Sequence, residues 1–136
     1  MYKLNPITTK LDYYEPSNNS IEIQVAASDE TTAITAGTAK VTFRLPCAFT
    51  LTEVRASLTT AQTSGSIFTI DINLSGASVL GTKLTIDNTE KTSVTATTPA
   101  TLVTTSMTDD GEITIDVDQI GDGTAKGLKI TLIGTR

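Results

Sequence analysis

The feature that most constrains this chain is a strict two-residue alternation, clearest in Glu112-Ile113-Thr114-Ile115-Asp116-Val117-Asp118-Gln119-Ile120. Side chains on a strand point to opposite faces in turn. Ile113, Ile115 and Val117 therefore share one face, and Thr114, Asp116 and Asp118 the other. A helix would scatter the three apolar residues around its circumference, and three β-branched side chains in five positions favour extended backbone. The rhythm recurs in Ile21/Ile23/Val25, Val41/Phe43/Leu45, Phe68/Ile70/Ile72/Leu74, Leu84/Ile86 and Leu128/Ile130/Leu132, with Val94 and Leu102-Val103 as lesser strand candidates. Ser64-Gly65-Ser66, Ser75-Gly76, Asp87-Asn88, Asp109-Asp110-Gly111 and Gly121-Asp122-Gly123 read as the turns between them. Pro46 stops the second row. From Phe49 to Leu58 the parity changes: Phe49 and Leu51 are odd, Val54, Ala56 and Leu58 even. That change predicts a β-bulge near Thr52-Glu53. The expected fold is all-β, a β-sandwich or jelly roll of about eight strands over residues 21–136, preceded by an extended N-terminal arm.

The arm and its linker, residues 1–20, carry all three Tyr, two of the four Pro and no alternating pattern. Asn5-Pro6, Glu15-Pro16 and Pro16-Ser17-Asn18-Asn19-Ser20 punctuate it. Leu4, Ile7, Leu11, Tyr13 and Tyr14 make it too apolar for a solvated tail, so it reads either as a docking segment or as an extra strand on its own domain. About a fifth of the 136 residues are Thr, whose branched but polar side chain suits the wet face of a strand. The net charge of −5 and pI of about 4.5 argue against binding a phosphate backbone. No apolar run reaches the length of a membrane span, and the N-terminus lacks the pattern of a secretory signal, so synthesis in the cytoplasm without export is expected.

The absence of His and the single Cys exclude histidine-based triads, Cys–His dyads and His/Cys zinc sites. Cys47, between Pro46 and Ala48, reads as a small buried hydrophobe. No phosphate-binding Gly loop or dinucleotide fingerprint is present. Paired-carboxylate hydrolysis by Asp71, Asp87, Asp116 or Asp118 would want a cleft and aromatic platforms, and three Phe and three Tyr are few. No enzymatic activity and no cofactor are expected. Asp116 and Asp118, at i and i+2 on one face, are calcium candidates, with Asp109, Asp110 or Asp122 as further ligands. The competing readings are solvated charges, or a subunit contact facing Arg44 or Arg55 of a neighbour.

Two stretches resemble a known family. The first is Val25-Ala-Ala-Ser-Asp-Glu-Thr-Thr-Ala-Ile-Thr-Ala-Gly-Thr-Ala-Lys-Val-Thr-Phe-Arg-Leu-Pro with Phe49-Thr-Leu-Thr-Glu-Val-Arg-Ala-Ser-Leu. The second runs from Leu84-Thr-Ile-Asp through Glu112-Ile-Thr-Ile-Asp-Val-Asp-Gln-Ile-Gly to Gly127-Leu-Lys-Ile-Thr-Leu-Ile-Gly. They are similar to a β-sandwich module of tailed-bacteriophage virion proteins, found in head-decoration, fibre and tail-appendage proteins. Leu4-Asn-Pro-Ile-Thr-Thr-Lys-Leu-Asp resembles an attachment peptide at the start of phage appendage proteins, with Thr9 where the pattern has Gly. The resemblance implies a virion protein, most simply a capsid decoration (cement) protein. It would be a trimer, bound to the major capsid protein or another virion protein through Leu4, Asn5, Pro6, Ile7, Leu11, Tyr13 and Tyr14. The alternative it leaves is a head or tail fibre component that binds host glycans. A calcium-dependent lectin-like module is a third reading, disfavoured by the few aromatics.

Overall fold

A computed structural model describes residues 2–5, 10–13 and 19–136, with side chains from residue 19 onward. Its strands are β1 (Tyr2–Asn5), β2 (Lys10–Tyr13), β3 (Ser20–Ala26), β4 (Gly37–Arg44), β5 (Phe49–Ser57), β6 (Phe68–Leu74), β7 (Ala77–Ser78), β8 (Leu80–Thr82), β9 (Leu84–Ile86), β10 (Thr101–Leu102), β11 (Ser106–Met107), β12 (Glu112–Gln119) and β13 (Lys129–Thr135). The fold is all-β, and no helix occurs among the described residues. One sheet has the order β11-β5-β13-β3. A second has the order β4-β12-β6-β7, with β9 also paired to β6. Every pairing within these two sheets is antiparallel. The chain changes sheet from β3 to β4, from β4 to β5, from β5 to β6, from β11 to β12 and from β12 to β13.

The alternating rows of the sequence become one core. Ile113, Ile115 and Val117 of β12 lie in the same buried cluster as Phe68, Ile70 and Ile72 of β6 and Ile130 and Leu132 of β13. Each such side chain contributes roughly 1.5–3 kcal/mol by leaving water. β12 sits between β4 and β6, inside its sheet. The expected bulge is present. Leu51 pairs with Gly134 and Glu53 with Ile133, which leaves Thr52 unmatched, so Leu51 and Val54 both face inward. Ser75 and Gly76, with φ of 50° and 86°, close Leu74 onto Ala77 as a two-residue turn whose twist matches the flanking strands.

Several expectations are corrected. The strands number more than eight because β7, β8, β10 and β11 are pieces of two or three residues joined by irregular chain. Val94 and Val103 lie outside any strand and are 61% and 67% exposed, while Leu102 belongs to β10. The polar stretch after β3 carries a core residue: Ile34 is buried, and its amide donates to the Ala125 carbonyl at 2.9 Å. Cys47 is half-buried and packs against the core as a free thiol. The N-terminal segment is not a single extended arm, because β1 and β2 pair antiparallel into a ribbon.

Candidate functional site

The ribbon's register pairs Tyr2 with Tyr13, Lys3 with Asp12, Leu4 with Leu11 and Asn5 with Lys10. Alternation then places Tyr2, Leu4, Leu11 and Tyr13 on one face and Lys3, Asn5, Lys10 and Asp12 on the other. Of the expected anchor residues, Leu4, Leu11 and Tyr13 share the apolar face, and Asn5 takes the polar one. Pro6, Ile7, Thr9 and Tyr14 lie outside the described residues. A two-stranded ribbon by itself is marginal in water. The alternation was already present in Tyr-Lys-Leu-Asn and Lys-Leu-Asp-Tyr, but four residues each are too few to stand out.

The outward face of β12 is not bare. Asp116 lies directly opposite Asp71 of β6, a like-charge pair that needs compensation. Asp116 Oδ1 accepts the Ala39 amide at 2.7 Å, and its Oδ2 accepts Asn73 Nδ2 at 3.0 Å. Ala39 reaches it because the β4–β12 ladder bulges between the Ile115–Val41 and Val117–Gly37 pairs, with Ala39 at φ 48°. Asp71, only 7% exposed, accepts the Ile72 amide at 2.9 Å and the Ser78 hydroxyl at 2.5 Å. The Lys83 ammonium lies 3.4 Å from Asp71 and is hydrogen-bonded to Asp118. That hydrogen bond, with the charge of Asp71 adding to it against partial burial, raises the Lys83 pKa above its ordinary 10.5.

This arrangement corrects the expectation of a solvated carboxylate for Asp116, whereas Asp118 is exposed as expected. Asp116 is half-buried with both oxygens engaged, and Asp118 is neutralised by Lys83 from the same chain. Among the described residues no group of three or more His, Cys, Asp or Glu is placed to hold a metal. The proposed complements are likewise engaged within the chain. Arg44 lies 3.8 Å from Asp110 and 3.7 Å from Glu112, and Arg55 lies 2.7 Å from Glu53. Asp71 and Asn73, two apart on β6, were legible as neighbours, but their meeting with Asp116 and Lys83 was not, because strand pairing rather than proximity along the chain brings these together.

A second cluster fastens the loops. Asp122 Oδ2 accepts the Thr63 amide at 2.9 Å, the Thr63 hydroxyl at 2.7 Å and the Ser64 amide at 3.1 Å. Its Oδ1 accepts the Thr124 amide at 3.0 Å and the Thr124 hydroxyl at 2.6 Å. These donors, the Thr124 hydroxyl foremost, hold the carboxyl well below its ordinary 3.8. A depressed carboxyl stabilises the fold above its ordinary pKa and loses that contribution as pH falls through the folded value. Asp122→Ala is therefore expected to lower the melting temperature at neutral pH. Thermal melts of both proteins should converge as the buffer is acidified below 3.8. A gap that is constant with pH would show that the carboxylate charge is not what these donors hold.

No family model, no curated protein and no solved structure matches this chain.

Proposed function

We propose that this chain is a non-catalytic structural virion protein of a tailed bacteriophage, a cement protein that decorates the capsid through its N-terminal ribbon, with the major capsid protein as partner. The observation that carries this reading is the ribbon. Its register gathers Tyr2, Leu4, Leu11 and Tyr13 on one face, ahead of a body whose carboxylates Asp71, Asp116, Asp118 and Asp122 are already engaged as acceptors. The finer fold proposed for the body is a jelly roll, and strand order supports it. With β3, β4, β5, β6, β9, β11, β12 and β13 taken as its eight strands, the first sheet holds the first, third, sixth and eighth. The other holds the second, fourth, fifth and seventh, as two interleaved Greek keys require.

Binding to particles that lack the protein tests the reading. Deletion of residues 2–15 should abolish attachment, while circular dichroism and melting of the body stay as in the full chain. Copy number should scale with the capsid surface. Normal decoration by the truncated chain would end the anchor proposal, and a handful of copies per particle would move the protein to a fibre or appendage. The resemblance implies three copies per assembly, whereas the open edge of β3 fits a pairwise contact.

A further inference from the structure

β3 pairs with β13 along its whole length without a register shift, and among the described residues no strand lies on its other side. Two flanking bonds on that register fix which backbone groups face outward. Ala27 N–H donates to the Leu128 carbonyl and Arg136 N–H to the Asn19 carbonyl, each at 2.8 Å. Odd-numbered residues thus exchange hydrogen bonds with β13, and the N–H and C=O groups of Glu22, Gln24 and Ala26 point to the open edge.

Edges of this kind are normally protected. The edge strand β4 of the second sheet is protected: it bulges at Ala39 and carries Lys40 and Arg44. At the remaining edges of these two sheets, β7 and β11 are two residues long and β9 three. β3 has neither bulge, Pro nor Lys, and its core-facing row of Ile21, Ile23 and Val25 is only half covered.

We infer that β3 is a dimerisation strand, pairing antiparallel with β3 of a second copy across a two-fold axis at Ile23. The occupant is a second copy because Ser-Ile-Glu-Ile-Gln-Val-Ala is complementary to itself about that residue. Ile21 meets Val25 of the second copy. Glu22 meets Gln24, so no like charges stand directly opposite. The backbone parity agrees with this register. Glu22 and Gln24, whose polar groups face out, form the hydrogen-bonded pairs, and Ile23 falls in the non-hydrogen-bonded pair, where facing side chains are closest. The two Glu22 carboxylates lie on a diagonal, and each is already attracted to Arg55 of its own sheet. The contact continues the first sheet from one copy into the next and extends the half-covered Ile row. It does not depend on the virion assignment.

Sedimentation of the full chain tests it. The expected species is a dimer that dissociates on dilution. Gln24→Pro removes an N–H that faces the open edge and so no bond to β13, and it should weaken association on the order of 100-fold with the subunit still folded. In a Cys47→Ala background, Ile23→Cys should oxidise to a disulfide-linked dimer, because non-hydrogen-bonded antiparallel pairs bring Cα atoms to about 4.5 Å. Val25→Cys, two pairs off the axis, should not cross-link. A wild-type mass of one or three chains overturns the inference. So does a dimer that survives Gln24→Pro, or that cross-links through residue 25 and not 23.

Discussion

Gly134→Ala is expected to destabilise the fold by about 3 kcal/mol, the upper end of what overpacking one methyl group costs. Gly134 continues the inward row of β13 after Ile130 and Leu132 and pairs with Leu51 at the bulge. A Cβ built there runs into the Thr50 carbonyl oxygen and comes within 2.6 Å of Phe49 Cδ2. The Phe49 ring is buried and occupies the space that a side chain at 134 would need. The carbonyl cannot retreat cheaply, since Thr50 is paired with Thr135 on one side and Ser106 on the other. The requirement is for space, because Gly134 does not have a positive φ. Gly76→Ala makes the contrast: it meets nothing within 4 Å, and only its φ of 86° is strained, so it should cost about 1–2 kcal/mol. Urea unfolding should show the Gly134→Ala midpoint falling at an unchanged slope. A loss no larger than that of Gly76→Ala would mean that the Phe49–Thr50 segment yields.

What the sequence disclosed was local. The rows around Ile113, Phe68 and Ile130 repeat over enough residues for period two to be unmistakable, and they are the core. The parity change between Leu51 and Val54 located the bulge because a shift of one residue exposes a whole row unless an extra residue absorbs it. Ser75-Gly76 was legible because few residue pairs accept two positive φ angles in succession. Val94 and Val103 misled because β-branching favours extended backbone but does not decide burial, and both project from irregular chain. The Asp122 loop was readable as a turn from its flanking glycines. Its hold on Thr63 and Ser64 was not, since those partners lie 59 and 58 residues away. Alternation likewise told which face Asp116 takes but not what covers that face.

That covering is most directly probed at Lys83. Lys83→Met should destabilise the fold by about 2 kcal/mol, because it leaves the buried Asp71 carboxylate opposite Asp116 without its counter-charge. The methionine retains most of the aliphatic stem, so the loss reports the ammonium rather than packing. In an Asp71→Asn background the same substitution should cost less, with a coupling of about 1 kcal/mol. The amide oxygen that Asp71→Asn introduces can still accept the Ser78 hydroxyl and the Ile72 amide, so the cycle isolates the charge. The pH dependence gives an independent reading. A lysine whose pKa is raised on folding contributes its full stabilisation below the ordinary 10.5 and loses it as pH rises through the folded value. The wild type should therefore lose stability along an alkaline limb that Lys83→Met lacks. Zero coupling in the cycle together with identical alkaline limbs would make Lys83 a bystander. Asp71 would then be held by Ser78 and the Ile72 amide alone.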